Sequence, residues 1–134
     1  ASPESQHAFV AEHDPEQLVV AFQARGLDPA MAMVADLDHL GLELVGGQLE
    51  GDGAVVVYVD SLGRRFECHM LSDGPTGTPS TVMQRDGAPD LEVYGLGSAT
   101  AVVWREKGMI CVLVSEHREA LLALAQAKVW GVVG

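Results

Sequence analysis

Basic residues are scarce in this chain of 134 residues, which has 8 Lys and Arg against 19 Asp and Glu and a formal net charge of −11. A surface with that balance repels the phosphates of nucleic acids and the headgroups of anionic lipids. We therefore expect neither nucleic acid nor a membrane surface as a direct partner of this segment. Long hydrophobic runs are missing too, because no apolar stretch approaches the roughly 20 residues that cross a bilayer.

The first residues lack the basic start and apolar middle of a secretory signal. These first residues would look the same whether they are the native start or whether targeting or membrane segments have been removed before them. The sequence therefore leaves both origins open.

Cysteine is also rare, with Cys68 and Cys111 as the only examples. Two cysteines are too few for a disulfide framework, and neither belongs to a C-x-x-C pair. Buried free thiols are the first interpretation, because unpaired cysteine behaves as a small hydrophobic residue. A single disulfide is the alternative, and it requires an oxidising compartment.

The apolar content of 48% is enough for one sizeable core, and the length fits a single domain. The patterns predict an α+β fold with a mainly antiparallel sheet of about five or six strands between N-terminal and C-terminal helices. Its predicted parts are a loose lead-in at 1–12, a helical segment at 13–34, a sheet at 40–114 with a long loop at 72–89, and a C-terminal helix at 115–130.

Capping residues mark the predicted helices. Asp14 can cap a first helix that has Pro15 in its first turn and ends near Gly26. The same signals recur at 28–34 and predict a short second helix. Ser115 is placed to cap the last helix.

Glycine and apolar residues mark the predicted strands. The unbroken run Ala54 to Val59 is typical of a strand that is covered on both faces. The pair Gly46-Gly47 in mid-strand indicates a bulge or a close backbone contact. Glu106 to Gly108 predicts a tight hairpin, and the loop at 72–89 is long enough to be functional or mobile.

The triplet Cys68-His69-Met70 contains three residue types that bind copper or zinc. Alternation along a strand, however, puts Cys68 and Met70 on one face with Phe66 and puts His69 on the other. We therefore predict core packing for the two sulfur side chains and no metal site, with the triplet as the weak alternative. Ser61 and Ser98 lie beside glycines without forming a G-x-S-x-G motif, so we expect neither an enzyme nor a bound cofactor.

Several short motifs follow one another in a distinctive order. Asp36-Leu37 precedes the phrase Gly41 to Leu49, and Val57 to Asp60 then leads into Gly63-Arg64. Near the end come Trp104, the turn glycine Gly108, the strand pair Leu113-Val114 and the helical phrase Leu121 to Ala125. This succession resembles the extracytoplasmic C-terminal domain of transmembrane anti-sigma factors of the RsiW-like type. Ala35 stands where that group usually has proline, and Cys68-His69-Met70 replaces a more ordinary apolar and aromatic strand.

The resemblance implies a non-catalytic regulatory or sensing domain that controls transcription through contact with a protein partner or through self-association. The domain would lie in the periplasm and be tethered to the inner membrane by a segment absent from this chain. A sigma factor would be bound only by a missing cytosolic segment. The alternative is a small periplasmic sensor domain that binds a metal or another ligand.

Overall fold

The computed structural model describes residues 8–31, 33–75 and 77–131. These residues have an α+β fold with antiparallel strand pairs and two α-helices. The chain divides between Arg65 and Phe66 into two compact units. That the whole chain is one domain stays a prediction.

The first unit packs one helix on three strands. Its elements are β1 (Val10–Ala11), α1 (Pro15–Ala24), β2 (Leu42–Glu50) and β3 (Gly53–Asp60), with the strands in the order β1-β2-β3. The Asp14 side chain accepts a hydrogen bond from the Glu16 N–H and caps α1, as predicted. The chain leaves the helix through Gly26, whose φ of 99° suits glycine.

The predicted second helix at 28–34 is wrong, because the described residues of this range form a 3₁₀ turn at Pro29–Met31 and no α-helix. The Met33 N–H donates to the carbonyl oxygen of Met31, two residues back. A continuing helix would need hydrogen bonds to carbonyls three or four residues back. The lead-in also contains an unpredicted element, since β1 pairs with Gly46 and Gly47 of β2.

The core of the first unit depends on a close approach between α1 and β2. Leu18 and Phe22 of α1 are fully buried. A Cβ atom at Gly47 would lie 2.8 Å from Phe22 Cζ and 2.5 Å from the Val55 carbonyl oxygen, so only glycine fits there. The register shifts between Leu44 and Gly46, which confirms the predicted bulge.

The described residues of the second unit form five strands and one α-helix. They are β4 (Arg65–Leu71, which belongs to this unit from Phe66 onward), β5 (Thr81–Met83), β6 (Leu91–Leu96), β7 (Ala99–Glu106), β8 (Met109–Ser115) and α2 (Arg118–Ala125), with the strands in the order β4-β8-β7-β6-β5. Lys107 and Gly108 join β7 to β8 with φ values of 51° and 78°, which confirms the tight hairpin. Leu121, Leu124 and Ala125 are the buried side of α2.

The described residues contain eight strands, so the prediction of about five or six was wrong. The missed strands are β1 and β5, which have two and three residues and are too short to show alternation. β5 lies within the predicted loop at 72–89 and pairs with β6. The Ser80 N–H extends this contact by donating to the Val93 carbonyl oxygen at 2.7 Å.

The positions of the two α-helices differ from the prediction of one helix at each end of the sheet region. β1 precedes α1, and α2 begins at Arg118 rather than near Ser115. The Ser115 hydroxyl accepts a hydrogen bond from the His117 N–H and so stabilises the turn before the helix instead of capping it. A π-helical turn at Gln126–Trp130 follows α2, and Gly131 ends it with a φ of 72°.

We expect Gly47→Ala to lower the free energy of unfolding by about 1–3 kcal/mol, because the new methyl group would overlap β3 and α1. Gly95→Ala is the matched control, since Gly95 is also a strand glycine but a Cβ atom there would meet nothing within 4 Å. Denaturant unfolding of both variants is the measurement. Equal midpoints for the two variants would contradict the close approach at Gly47.

Candidate functional site

Asp60 organises the turn that leaves β3. Its Oδ1 accepts hydrogen bonds from the N–H groups of Leu62 and Arg64, each at 2.9 Å. Its Oδ2 accepts from Arg64 Nε at 2.6 Å. The Gly63 N–H closes the turn by donating to the Asp60 carbonyl oxygen at 3.0 Å. The acidic residue and the Gly-Arg pair singled out in the sequence are therefore parts of one hydrogen-bonded turn.

The Asp60 side chain is only 12% exposed. Removal of water raises the pKa of the Asp60 carboxyl, but hydrogen bonds from Arg64 and Leu62 and the Arg64 charge outweigh this effect. The net result is a pKa below the ordinary aspartate value. Asp60 is therefore a carboxylate at neutral pH.

Tyr58 anchors the segment that precedes β2. Its buried hydroxyl donates a hydrogen bond to the Ala35 carbonyl oxygen at 2.8 Å. In the same segment Asp36 Oδ1 accepts from the Asp38 N–H, and Leu37 is buried. In the pair Asp36-Leu37, the carboxylate therefore stabilises a turn and the leucine side chain packs in the core.

A groove of about 420 Å³ lies beside these residues. We call it the acidic groove, and its lining residues are Asp38, Gly41, Leu42, Glu43, Val59, Asp60 and Ser61. Three of these residues carry carboxylates and none is basic. The groove is thus suited to contact with a positively charged group or segment.

The structure separates the residues of the Cys68-His69-Met70 triplet, the weak alternative for a metal site. Cys68 and Met70 lie on the buried face of β4. His69 lies on the other face, where its Nε2 is 3.3 Å from Glu67 Oε1. The expected alternation along this strand is therefore present, and the triplet cannot converge on one ion.

The structure instead makes Cys68 and Cys111 diagonal neighbours on the paired strands β4 and β8. Both are free and buried thiols. Burial raises the pKa of the Cys68 thiol to about 11, with Lys128 lowering it and Glu106 raising it to a smaller extent. Burial raises the pKa of the Cys111 thiol to about 12, with a further increase from Cys68. Sequence reasoning did not pair these residues, because strand register brings them together and register is not visible in a single sequence.

Trp104 and Lys128 meet at the end of the second unit. Lys128 Nζ lies 5.5 Å from the centroid of the Trp104 ring, a cation–π contact. Trp104 Nε1 donates to Glu106 Oε2 at 3.3 Å. With Pro89 and Val129 these residues line a cavity of about 130 Å³, which is small for an organic ligand.

Comparison of the chain with protein-family models, curated proteins and solved structures finds no significant match. Among residues 8–31, 33–75 and 77–131 no three or more His, Cys, Asp or Glu side chains are grouped as metal ligands. Within the same ranges, no helix is both long enough and apolar enough to cross a membrane.

We expect both thiols to resist Ellman's reagent at pH 8 in the native protein, because they are buried and protonated. Unfolding in guanidinium should expose both of them, and absorbance at the dye wavelength measures the reaction. Rapid reaction of either thiol in the native protein would contradict the described burial.

The raised thiol pKa values also predict a pH dependence of stability. Above the ordinary pKa of about 9 the unfolded thiols ionise while the folded ones stay protonated, so the free energy of unfolding falls from about pH 9 through 11 to 12. Denaturant unfolding between pH 7 and 10.5 should show this slope. A Cys68→Ala, Cys111→Ala double variant should have a shallower slope, and an unchanged slope would contradict the prediction.

Proposed function

We propose that this chain is the extracytoplasmic regulatory domain of a membrane-bound anti-sigma factor and that it acts through protein contact rather than catalysis. The proposal starts from the order of motifs that resembles this family. One structural observation supports it further. Motif residues that are dispersed between Gly41 and Asp60 in the sequence line the acidic groove together.

The motif residues also hold the walls of the acidic groove in place. Asp60 and Arg64 form the hydrogen-bonded turn beside it. Tyr58 binds the Ala35 carbonyl oxygen and so fixes the segment that leads to Asp38. Fixed walls reduce the conformational entropy lost when a partner binds. This arrangement is the one expected of a contact surface.

Charge indicates the kind of partner. The exposed carboxylates of Asp38 and Glu43 line the groove beside Asp60, which is already paired with Arg64, and the whole chain has a formal charge of −11. Such a surface favours encounter with a basic protein segment through electrostatic attraction. In the proposed function this partner is met in the periplasm, and a separate cytosolic segment binds the sigma factor.

The test uses the natural gene product that contains this chain, produced with the sigma factor encoded beside it and a reporter driven by that sigma factor. Removal of residues 1–134 should change reporter output, because the domain regulates release of the sigma factor. An Asp38→Lys, Glu43→Lys variant should change output in the same direction, because it reverses the charge of the acidic groove.

Asp73→Lys, Asp86→Lys is the matched control, because it reverses two exposed acidic residues that do not line the acidic groove. Its reporter output should equal that of the unaltered protein. Thermal unfolding of each variant domain separates loss of contact from loss of folding. Unchanged output after removal of the whole domain would refute the proposed function, and equal effects of the two double variants would refute the role of the groove.

A further inference from the structure

Four sulfur side chains lie on one buried face of the second unit. Cys68 and Met70 belong to β4, and Met109 and Cys111 belong to β8, which pairs with β4. Their exposed fractions are 9% for Cys68, 3% for Met70, 3% for Met109 and 5% for Cys111. We call this set the sulfur cluster. None of its members has a role in the function proposed above.

Strand register fixes the arrangement of the sulfur cluster. Met70 lies directly opposite Cys111, and Cys68 lies opposite Leu113, so the two thiols are diagonal neighbours on the same face. Diagonal positions in an antiparallel pair are about 7–8 Å apart between Cα atoms. The electrostatic effect of Cys68 on Cys111 is consistent with this proximity.

This diagonal spacing suits a bridging atom better than a direct bond. A disulfide brings its sulfurs to about 2.05 Å and usually needs Cα atoms no more than about 6.8 Å apart. Two thiolates that share one metal ion stand at most about 4.6 Å apart, if each bond is about 2.3 Å. The sulfurs of diagonal residues can reach this separation without moving the strands.

The ligand types indicate which ion would fit. Structural zinc takes four ligands from cysteine, histidine and carboxylates, and the described residues do not bring three such groups together. His69 is on the opposite face of β4 and cannot complete the set. Thiolate and thioether ligands are soft and select Cu(I). We propose that Cys68 and Cys111 bind one Cu(I) ion as thiolates, with Met70 as a third, thioether ligand.

Binding releases two protons, because Cu⁺ and two thiols give a bis-thiolate complex of charge −1 and two H⁺. Lys128 partly offsets this buried negative charge, since its ammonium lowers the pKa of both thiols. It is held over Trp104, which lies directly opposite Cys111 on β7. Glu106 opposes this effect, so the net field at the cluster depends on both residues.

The test is a titration of the purified, fully reduced chain with Cu(I) in the presence of bicinchoninate as a competing chelator, without oxygen. We expect one Cu(I) per chain, release of two protons and stronger binding at higher pH. Cys68→Ser and Cys111→Ser should each abolish binding, and Met70→Leu should weaken it. His69→Ala is the control and should bind as the unaltered chain does, since His69 faces away from the cluster.

Serine at a buried position can unfold the domain, so X-ray absorption at the copper edge of the unaltered chain provides a second readout. A first shell of sulfur alone is expected. A nitrogen neighbour, loss of binding in His69→Ala, or no binding against the chelator would overturn the proposal. Retention of Cu(I) by a folded Cys68→Ser or Cys111→Ser variant would also overturn it. Each result stands whether or not the chain belongs to an anti-sigma factor.

Discussion

The alternation of side chains along the strands is the constraint on which the chemistry of this protein depends. Successive residues of a strand point to opposite faces, so neighbours in sequence are separated and residues of paired strands are brought together. In β4 this rule keeps His69 away from Cys68. In the β4–β8 pair the same rule places Cys111 on the face of Cys68 and Met70. The ligands of the proposed copper site therefore come from two distant segments, and the adjacent triplet does not share one face.

The first unit uses its polar residues in a different way. Both carboxylate oxygens of Asp60 accept hydrogen bonds within its own turn. The Tyr58 hydroxyl donates a hydrogen bond to the Ala35 carbonyl oxygen and so fixes the segment that precedes β2. Asp60 is thus a structural residue that also lines the acidic groove, whereas Tyr58 is buried and supports the segment beside the groove. This use of Asp60 shows how a chain without an evident reacting group can still carry distinctive motifs. In the proposed function, these motifs shape a surface that makes contact with a partner.

Some elements could be predicted from the sequence because their signals are local. The apolar run in β3, the glycine bulge in β2 and the turn at Lys107-Gly108 each follow from a few neighbouring residues. β1 and β5 could not be predicted, because partner strands rather than internal pattern hold such short segments. The helix expected at 28–34 failed for a related reason: capping residues mark where a helix can begin, but its length depends on later hydrogen bonds. The contact of Cys68 with the Cys111 strand likewise required the register.

The shortness of β1 and β5 has a consequence for how copies of this chain can meet. β1, with two residues, ends the strand order of the first unit, and β5, with three residues, ends that of the second. A long, flat edge strand has a row of unpaired backbone N–H and C=O groups with which strands of other molecules can pair. A short edge strand has few such groups, so it gives little opportunity for this pairing. Although 48% of the residues are apolar, growth of these sheets into fibrils is disfavoured at those ends. At those two ends, association between molecules would thus use side-chain surfaces, which can be specific, instead of backbone pairing, which is not.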